Sequence, residues 1–563
     1  MTDTRSASRR SFLATCSALG IGGSLLPGVL WAKVSEGAEI TTATIAAAEE
    51  IAGVQYSEPE REQIVAALRR QATQVAELHA VTLPNAVSPA IAFSALPRPS
   101  ALPKGESRPP ILTRRPAASL PPSDADLAFA SLATQADLLR RRLVTSARLT
   151  TLYLDRLERH NPRLLFATSL LRERALARAR AADAEIARGR YRGPLHGIPW
   201  GAKDLLAVAG APTTWGAAPF KEQRFDTDAT VVQRLDAAGA VLVAKLTLGE
   251  LAMGDVWFGG MTRNPWNLEQ GSSGSSAGSA SATAAGCVAF AIGSETLGSI
   301  SSPSTRCGVT GLRPTFGRVP RTGAMALSWT MDKLGPIARS AEDCALAFSA
   351  LHGPDDQDAT VHAAPFRWDG NASVRGLRVG VMRADFERQT ITKPFDTAAL
   401  DVLASLGVTF VDVEVPAQPY NAMRLILNAE AGAAFDDLVR SGRAAELVSQ
   451  GPNAWPATFR AAHFIPATDY INANRVRTQT MQAWDAVMQR VDVIVAPTNS
   501  GQLLATNLTG HPAVILPHGF RENGTPVSLT FIGRLFDEDT LLRVAHAYQQ
   551  RTDFHLKRPP ALD

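Results

Sequence analysis

Lysine and serine, two residue types that can carry out nucleophilic catalysis, stand in small-residue segments of this sequence. Lys203 lies in "GPLHGIPWGAKDLLAVAG", between Gly/Pro turns and an apolar run typical of a buried strand. Burial disfavours the charged form of a lysine, and the neutral amine can then act as a base. The alternative is a surface lysine paired with Asp204. The segment therefore predicts either a buried base or an exposed ion pair.

A first serine cluster lies at residues 274–278, where "GSSAG" matches G-x-S-x-G with Ser276 at its centre. In α/β-hydrolases this pattern forms a sharp turn that exposes a nucleophilic serine directly after a buried strand. The preceding residues here, "TRNPWNLEQGSS", are polar and turn-like. We therefore reject Ser276 as a nucleophile of that type.

A second serine candidate, Ser299, lies in "AFAIGSETLGSISSPS". In this segment an apolar strand leads into a turn of small residues. The backbone N–H groups of such a turn can converge on an oxyanion, and the turn would expose the hydroxyl of Ser299. The alternative is a Ser/Gly loop that caps the following helix. The pattern favours a nucleophile next to an oxyanion-binding loop.

The order of these residues is more specific than any one of them. Lys203 is followed after 72 residues by Ser275, and Ser275 after 24 residues by Ser299. Together with "NPWN", "CGVTGLRPTFGRV" and "DKLGPIARSAEDCA", this set resembles the amidase signature family from about Leu149 to the C-terminus. The resemblance implies the amidase signature fold and hydrolysis of a carboxylic amide C–N bond.

The resemblance also implies roles for individual residues. Ser299 matches the nucleophile that forms an acyl-enzyme. Ser275 matches the bridging serine, which in the family follows a cis peptide bond, and Lys203 matches the base. The oxyanion hole corresponds to the backbone of Thr296, Leu297, Gly298 and Ser299. No metal or organic cofactor is expected.

Three positions depart from the family pattern. The family usually has aspartate at 295, glycine at 297 and arginine at 301, whereas this chain has Glu295, Leu297 and Ser301. Leu297 requires a backbone angle at that position that does not demand glycine. Because Ser301 cannot pair with the acid, Glu295 must find other donors. The triad is intact, so we expect activity to be retained.

The substrate is expected to be a small-molecule or peptide-like amide, and ester cleavage stays within the same chemistry. The predicted pocket includes Met253 and Ser276, with walls from the turn at Leu251–Met253, the region after Trp257 and the insert between Pro416 and Arg490. Two other functions stay open: a glutamine-dependent amidotransferase A-type subunit, and an inactive homologue kept for binding. The chain is expected to be a monomer or a homodimer.

The elements that must position these residues alternate between helix and strand. "DATVVQRLDAAG" predicts a helix before the buried strand "AVLVAK", and "LRVGVM", "GVTFVDVEV" and "VDVIVAP" predict further apolar, β-branched strands between helical stretches. This alternation indicates an α/β fold in which helices cover both faces of a mixed sheet. Ser123, a candidate N-cap, marks the predicted start of the catalytic domain at 123–563.

The N-terminal sequence predicts a targeting segment. Arg9 and Arg10 precede a Gly-rich apolar run, which resembles a twin-arginine export signal at residues 1–32 with cleavage after Ala32. The expected partner is the twin-arginine export machinery, and the expected location is the periplasm or the exterior. Residues 33–122 are expected to form a helical segment and a Pro-rich linker.

Composition sets broad limits on function. The 563 residues carry a net charge of +4, with lysines and arginines scattered along the chain, so nucleic acid is not an expected partner. Beyond the predicted signal, three cysteines remain, namely Cys287, Cys307 and Cys344. Three cysteines do not make a disulfide framework, and two of them lie in apolar patterns.

Overall fold

A computed structural model describes residues 39–81, 91, 93–96, 102–560 and 562. The described residues divide into two compact units: one contains Pro419–Thr478 and the described residues up to Ile91, and the other contains the rest. The predicted signal at residues 1–32 lies outside the described residues. The predicted boundaries at residues 32 and 122 stay predictions.

The fifteen strands, numbered β1 to β15 in chain order, are Ala167–Leu170, Pro199–Lys203, Val241–Leu246, Val256–Trp257, Gly260–Met261, Arg263–Asn264, Asn267–Gly271, Phe290–Glu295, Thr310–Arg313, Lys333–Ala338, Arg378–Val381, Thr409–Asp412, Val493–Pro497, Ala513–Phe520 and Pro526–Gly533 among the described residues. The α-helices of the same residues, numbered α1 to α18, are Thr42–Ala52, Glu58–His79, Asp124–Phe129, Leu132–Arg140, Ser146–Leu164, Arg172–Ala187, Thr230–Ala237, Ala277–Ala284, Ser301–Cys307, Ala341–Ser349, Arg383–Glu387, Lys393–Ser405, Arg424–Ala434, Asp436–Arg440, Trp455–Ala462, Ala467–Met488, Gln502–Thr509 and Glu538–Gln549.

The smaller unit is helical. Helix α1 begins after Thr41, whose hydroxyl accepts the amide N–H of Thr44, and α2 begins after Ser57 in a capping box with Glu60. The apolar core of this unit contains Ile45 of α1, Leu68 of α2 and residues of α15. The helices pack through one shared apolar cluster rather than as separate segments.

The larger unit is built on one mixed sheet of eleven strands. Their order is β1-β3-β2-β8-β10-β9-β14-β15-β13-β11-β12. Strand β2 runs parallel to both β3 and β8, and β8 runs antiparallel to β10. Strands β2, β3, β8 and β10 are buried along their whole length, as expected where helices cover both faces of a sheet. The predicted fold class is confirmed.

The strands predicted from apolar runs after residue 240 are β3, β11, β12 and β13. Ser123 caps α3, because its hydroxyl accepts the amide N–H of Asp126. Residues 102–122, in the Pro-rich stretch, form neither helix nor strand. They are held instead by backbone hydrogen bonds from Arg108 and Ile111 to the carbonyl groups of Phe366 and Trp368.

Cys287, Cys307 and Cys344 are buried and form no disulfide, as the apolar patterns around Cys287 and Cys344 predict for those two. Among the described helices, none joins enough length to enough apolar character to cross a bilayer. Within the same residues, no cluster of three or more histidine, cysteine or acidic side chains is arranged to hold a metal ion.

Candidate active site

Lys203 is the last residue of β2 and is fully buried. Its Nζ lies 2.8 Å from the Oγ of Ser275, 2.9 Å from the Oγ of Ser294 and 3.1 Å from the Oγ of Ser276. Burial lowers the pKa of Lys203 well below its ordinary value, while the carboxylates of Asp332 and Glu295 act in the opposite direction. The lysine therefore sits among neutral hydroxyl groups in an environment that favours the free amine.

Asp204 does not pair with Lys203. Its Oδ1 lies 2.7 Å from the Nζ of Lys245, and both side chains are fully buried. Successive side chains of a strand point to opposite faces of the sheet, so this carboxylate ends up away from the lysine before it. The surface ion pair considered from the sequence is therefore wrong.

Ser275 lies in the turn before α8, directly after a cis peptide bond with Gly274. Its side chain is fully buried. The cis bond stands at the position implied by the family resemblance. The structure thus brings two of the three predicted catalytic residues, Lys203 and Ser275, into hydrogen-bond contact.

Ser276 is not among the residues that line the cavity beside the site, and its predicted pocket role stays a prediction. Its side chain is fully buried, and its Oγ donates to the carbonyl oxygen of Ser294 and accepts the amide N–H of the same residue, both at 3.1 Å. It also contacts Lys203. A hydroxyl held in this way joins the turn to β8. The same burial argues against Ser276 as an exposed nucleophile.

Two features let the serine turn and the Ser299 loop meet. Strands β2 and β8 are parallel neighbours, so their carboxyl ends deliver Lys203 and the Ser299 loop to the same edge of the sheet. The second feature is the absence of side chains at Gly274 in the serine turn and Gly293 in β8, where a Cβ atom would not fit. A Cβ on Gly274 would collide with the carbonyl oxygen of Gly254, and a Cβ on Gly293 would come within 2.7 Å of the Oγ of Ser276. Small residues are therefore a packing requirement here, not a sign of a linker.

Ser299 lies in the loop between β8 and α9 and is 9% exposed. Its carbonyl oxygen accepts the amide N–H of Ser276 at 3.1 Å, which joins the two loops through their backbones. No hydrogen bond between the hydroxyls of Ser299 and Ser275 is present in the described structure. The loops are adjacent, but the predicted contact between these two hydroxyls is not made.

The backbone of the Ser299 loop is arranged for accepting an anion. Within the described chain, the amide N–H groups of Leu297, Gly298 and Ser299 have no hydrogen-bond acceptor. Gly298 has a φ of +92°, whereas Leu297 is not in the left-handed region. The conformation that favours glycine is therefore carried by Gly298, and Leu297 is tolerated as expected. Unpaired amides in a largely buried loop fit the predicted oxyanion hole.

The buried carboxylate of Glu295 holds the other end of this loop. It accepts the amide N–H groups of Ile300 and Ser301 at 2.9 and 2.8 Å, and the hydroxyl of Ser301 at 2.8 Å. Arg313 Nη1 and Asn507 Nδ2 complete its donors, each at 2.8 Å. Burial alone would raise the pKa of Glu295, but the positive charge of Arg313 and these hydrogen bonds lower it to about 2. The expectation that Glu295 finds other donors is confirmed.

A cavity of about 290 Å³ lies beside these residues. Thr296 and Ser294 line it on the side of the loop and of Lys203, and Asp332 lies in its wall. The other lining residues are mainly apolar and include Leu205, Ala252, Ala324, Met325, Leu327, Trp329 and Leu334. Met253 is half-buried and directly follows Ala252 in the predicted turn. The contribution of the insert at 416–490 stays a prediction.

A family model for amidases matches residues 148–505, which contain Lys203, Ser275 and Ser299. The chain belongs to the amidase family. A putative amidase, AmiD, of Mycobacterium tuberculosis (strain ATCC 25618 / H37Rv) is 38% identical over 76% of this chain and 94% of that protein. The A subunit of the glutamyl-tRNA(Gln) amidotransferase of Roseiflexus sp. (strain RS-1) is 36% identical over 76% of this chain and 98% of its own length.

Solved amidase structures share the fold. The native peptide amidase of Stenotrophomonas maltophilia superposes with a TM-score of 0.68 and is 30% identical, covering 77% of this chain and 99% of that enzyme. This amidase family member is therefore an amide-hydrolysing enzyme. Its mixed sheet flanked by helices is the fold of the family.

Four residues around the amidase site were not predicted from the sequence. Ser294 contacts Lys203, Arg313 and Asn507 bind Glu295, and Asp332 binds Thr296. Arg313 and Asp332 lie inside "CGVTGLRPTFGRV" and "DKLGPIARSAEDCA", the two motifs that carried the resemblance. Their place inside these motifs was the feature of the sequence that could have indicated them.

Proposed function

We propose that this chain hydrolyses the C–N bond of a small or peptide-like carboxylic amide through an acyl-enzyme on Ser299, with Ser275 relaying the proton to Lys203. The observation that carries the proposal is the 2.8 Å contact between Lys203 Nζ and Ser275 Oγ in a fully buried setting. The unpaired amides of the adjacent loop supply the second requirement, a place for negative charge on the carbonyl oxygen.

The hydrogen bonds around Lys203 favour a direction for the proton. Ser276 has one hydroxyl proton, which goes to the carbonyl oxygen of Ser294, so towards Lys203 it can only accept. A neutral amine has two N–H groups and one lone pair. With one N–H directed to Ser276 and the other to Ser294, the lone pair is left for the hydroxyl proton of Ser275.

The reaction then follows from these positions. Lys203 takes the proton of Ser275 while Ser275 takes that of Ser299, whose oxygen bonds to the amide carbonyl carbon. The N–H groups of residues 297–299 stabilise the resulting oxyanion. The proton returns through Ser275 to the leaving nitrogen, the C–N bond breaks, and water then cleaves the ester. For this first step Ser299 must approach Ser275 when substrate is bound.

The cavity beside Thr296 supports a substrate with a compact apolar group. Its volume of about 290 Å³ and the apolar part of its wall, which includes Leu205, Met325 and Trp329, favour branched alkyl or single-ring groups. Arg321, Gln357 and Asp358 add polar side chains to the same wall. The likeness to a peptide amidase supports peptide-like amides within this range. A panel of amides that differ only in this group would rank the fit through kcat/KM.

A fluorophosphonate probe tests the proposal directly. We expect a single labelled serine, Ser299, identified by mass spectrometry of the adduct peptide. Ser299→Ala should abolish both labelling and hydrolysis, whereas Ser302→Ala, a matched change one helical turn into the same segment, should label as the wild type does. An adduct on Ser276 would contradict the triad and restore the rejected hydrolase-type turn.

The likeness to the A subunits of amidotransferases supports a second candidate, release of ammonia from glutamine. Glutamine hydrolysis that requires the other amidotransferase components to be added would favour this candidate. Hydrolysis of simple amides by the isolated chain would favour the first. An inactive binding homologue would hydrolyse neither and would leave Ser299 unlabelled.

We also propose export by the twin-arginine pathway, supported by Arg9 and Arg10 before a Gly-rich apolar run. Replacing both arginines by lysine keeps the charge but loses the guanidinium pair, so the precursor should accumulate inside the cell. Fractionation with an antibody against the chain measures this. Full-length wild-type protein found in the cytoplasm would contradict export and give weight to the amidotransferase candidate.

A further inference from the structure

Asp332 lies in the cavity wall immediately before β10 and connects two parts of the site. Its Oδ1 accepts the hydroxyl of Thr296 at 2.5 Å. Its Oδ2 accepts the amide N–H groups of Leu327 and Ser328 at 2.8 and 2.9 Å. One carboxylate thus ties the first residue of the oxyanion loop to the turn at residues 327–328, of which Leu327 also lines the cavity.

We propose that Asp332 is a positioning residue for the hydrolysis, holding the oxyanion loop through Thr296 and placing a negative charge within reach of Lys203. The proposal rests on the proposed function of Ser299, Ser275 and Lys203. Glu295 fixes the far end of the same loop through the amides of Ile300 and Ser301. Asp332 fixes the near end, so the unpaired amides of residues 297–299 lie between two anchored points.

The charges around Asp332 define its electrostatic role. Arg321 lies near it but is engaged by Asp358, with Nε 3.0 Å from Oδ2. Glu295, the other acid that acts on Lys203, is paired with Arg313 and lies near Lys333. Asp332 raises the pKa of the buried Lys203 amine more than Glu295 does. Burial raises the pKa of Asp332 itself, whereas its hydrogen bonds from Thr296, Ser328 and Leu327 lower it. In its ionised form Asp332 opposes the effect of burial on Lys203 and raises the pKa of that amine.

The substitution Asp332→Asn separates the hydrogen bonds that hold the loop from the negative charge near Lys203. Its carbonyl oxygen can accept the amides of Leu327 and Ser328, and its NH₂ group can donate to the Oγ of Thr296 in place of the present bond. Asp332→Asn therefore keeps all three contacts and removes the charge. Asp332→Ala removes both the contacts and the charge.

Steady-state kinetics on a small apolar amide tests the proposal across pH. Asp332→Ala should lower kcat about 100-fold with little change in KM, because displaced oxyanion amides weaken binding of the transition state more than of the substrate. Asp332→Asn should recover at least tenfold of that loss, and the acid limb of its kcat/KM profile should move to lower pH because the pKa of Lys203 falls.

Thr296 supplies an independent test if Asp332→Ala does not fold. Thr296→Val removes only the bond to Asp332 and should lower kcat in the same direction, whereas Thr296→Ser keeps the hydroxyl and should restore most of it. Asp343→Ala, which deletes a buried carboxylate that accepts the amide N–H of Leu132, controls for lost stability and should leave the pH profile unchanged.

Three results would overturn the proposal: normal kcat in Asp332→Ala, an unshifted acid limb in Asp332→Asn, or normal kcat in Thr296→Val. Any of these, with Ser299 still labelled by fluorophosphonate in the same variants, would reject the role of Asp332 and leave the hydrolytic mechanism standing. Loss of Ser299 labelling in the wild type would reject the mechanism itself.

Discussion

Glu295 and Arg313 form an ion pair in which both side chains are fully buried and Oε1 lies 2.8 Å from Nη1. The family resemblance places an arginine at position 301 as partner of this acid, but this chain has Ser301 there. Arg313 also donates to the carbonyl oxygen of His511 and to the hydroxyl of Thr506. The charge that balances the acid at 295 therefore comes from β9 instead of from α9.

Arg313→Met should destabilise the protein by about 3–5 kcal/mol at pH 7, because it leaves a buried carboxylate without its cation. The folded-state pKa of Glu295 is about 2, below the ordinary 4.5, so the pair stabilises above pH 4.5 and loses this effect as pH falls towards 2. The stability gap between wild type and variant should therefore narrow over this range. Urea unfolding at several pH values measures it.

Arg318→Met is the matched control, since Arg318 and Glu538 form another fully buried pair. Both variants should lose comparable stability. Only Arg313→Met should also lower kcat, because Glu295 holds the amides of Ile300 and Ser301 beside the oxyanion loop. Equal kcat values in the two variants would show that the Glu295 network does not position this loop.

Gly298→Ala should lower kcat by about 100-fold, the cost of misplacing oxyanion donors. Gly298 has a φ of +92°, which an alanine adopts only with strain, and the new Cβ would lie 3.3 Å from the Oγ of Ser302. Leu297→Ala, at an ordinary backbone angle in the same loop, should change kcat less than about threefold. Similar losses in both variants would mean that side-chain packing, not backbone conformation, controls this loop.

The sequence contained the main features of the site because its chemistry depends on residue type at fixed positions. Lys203, Ser275 and Ser299 stand in short motifs, and the apolar runs predict β3, β11, β12 and β13. What the sequence could not provide is the long-range partner of each group. The partners of Glu295 lie on β9 and α17, and nothing local to residue 295 indicates them.

Ser276 illustrates the same limit at short range. Its type and its place in the serine turn are compatible with lining a pocket, facing solvent or supporting a neighbour. The pairing of β2 with β8 places Ser294 against Ser276, and the Ser276 hydroxyl then contacts Lys203. This long-range pairing is not visible in the local sequence. Residue type predicts what a hydroxyl can do, whereas sheet topology decides what it touches.

Ser276→Ala should therefore lower kcat by about tenfold to a hundredfold with KM unchanged, because one buried acceptor for Lys203 is lost. Ser279→Ala is the control: its hydroxyl lies in α8 and donates to the carbonyl oxygen of Ile292 without touching the lysine. This second variant should keep its kcat. A change confined to KM in Ser276→Ala would instead support the predicted pocket role.

Lys203→Met should lower kcat/KM about a thousandfold, the typical contribution of a positioned general base. In the wild type, activity should rise with pH and level off, since only the neutral amine accepts the proton of Ser275. Burial lowers the pKa of Lys203 well below its ordinary 10.5, so the plateau should begin well below that pH. Lys203→Arg keeps a cation that does not lose its proton and should be as inactive as the methionine variant. Substantial activity in Lys203→Arg, or a wild-type profile that still rises steeply at about pH 10, would mean that Lys203 serves as a fixed positive charge and that another group takes the proton.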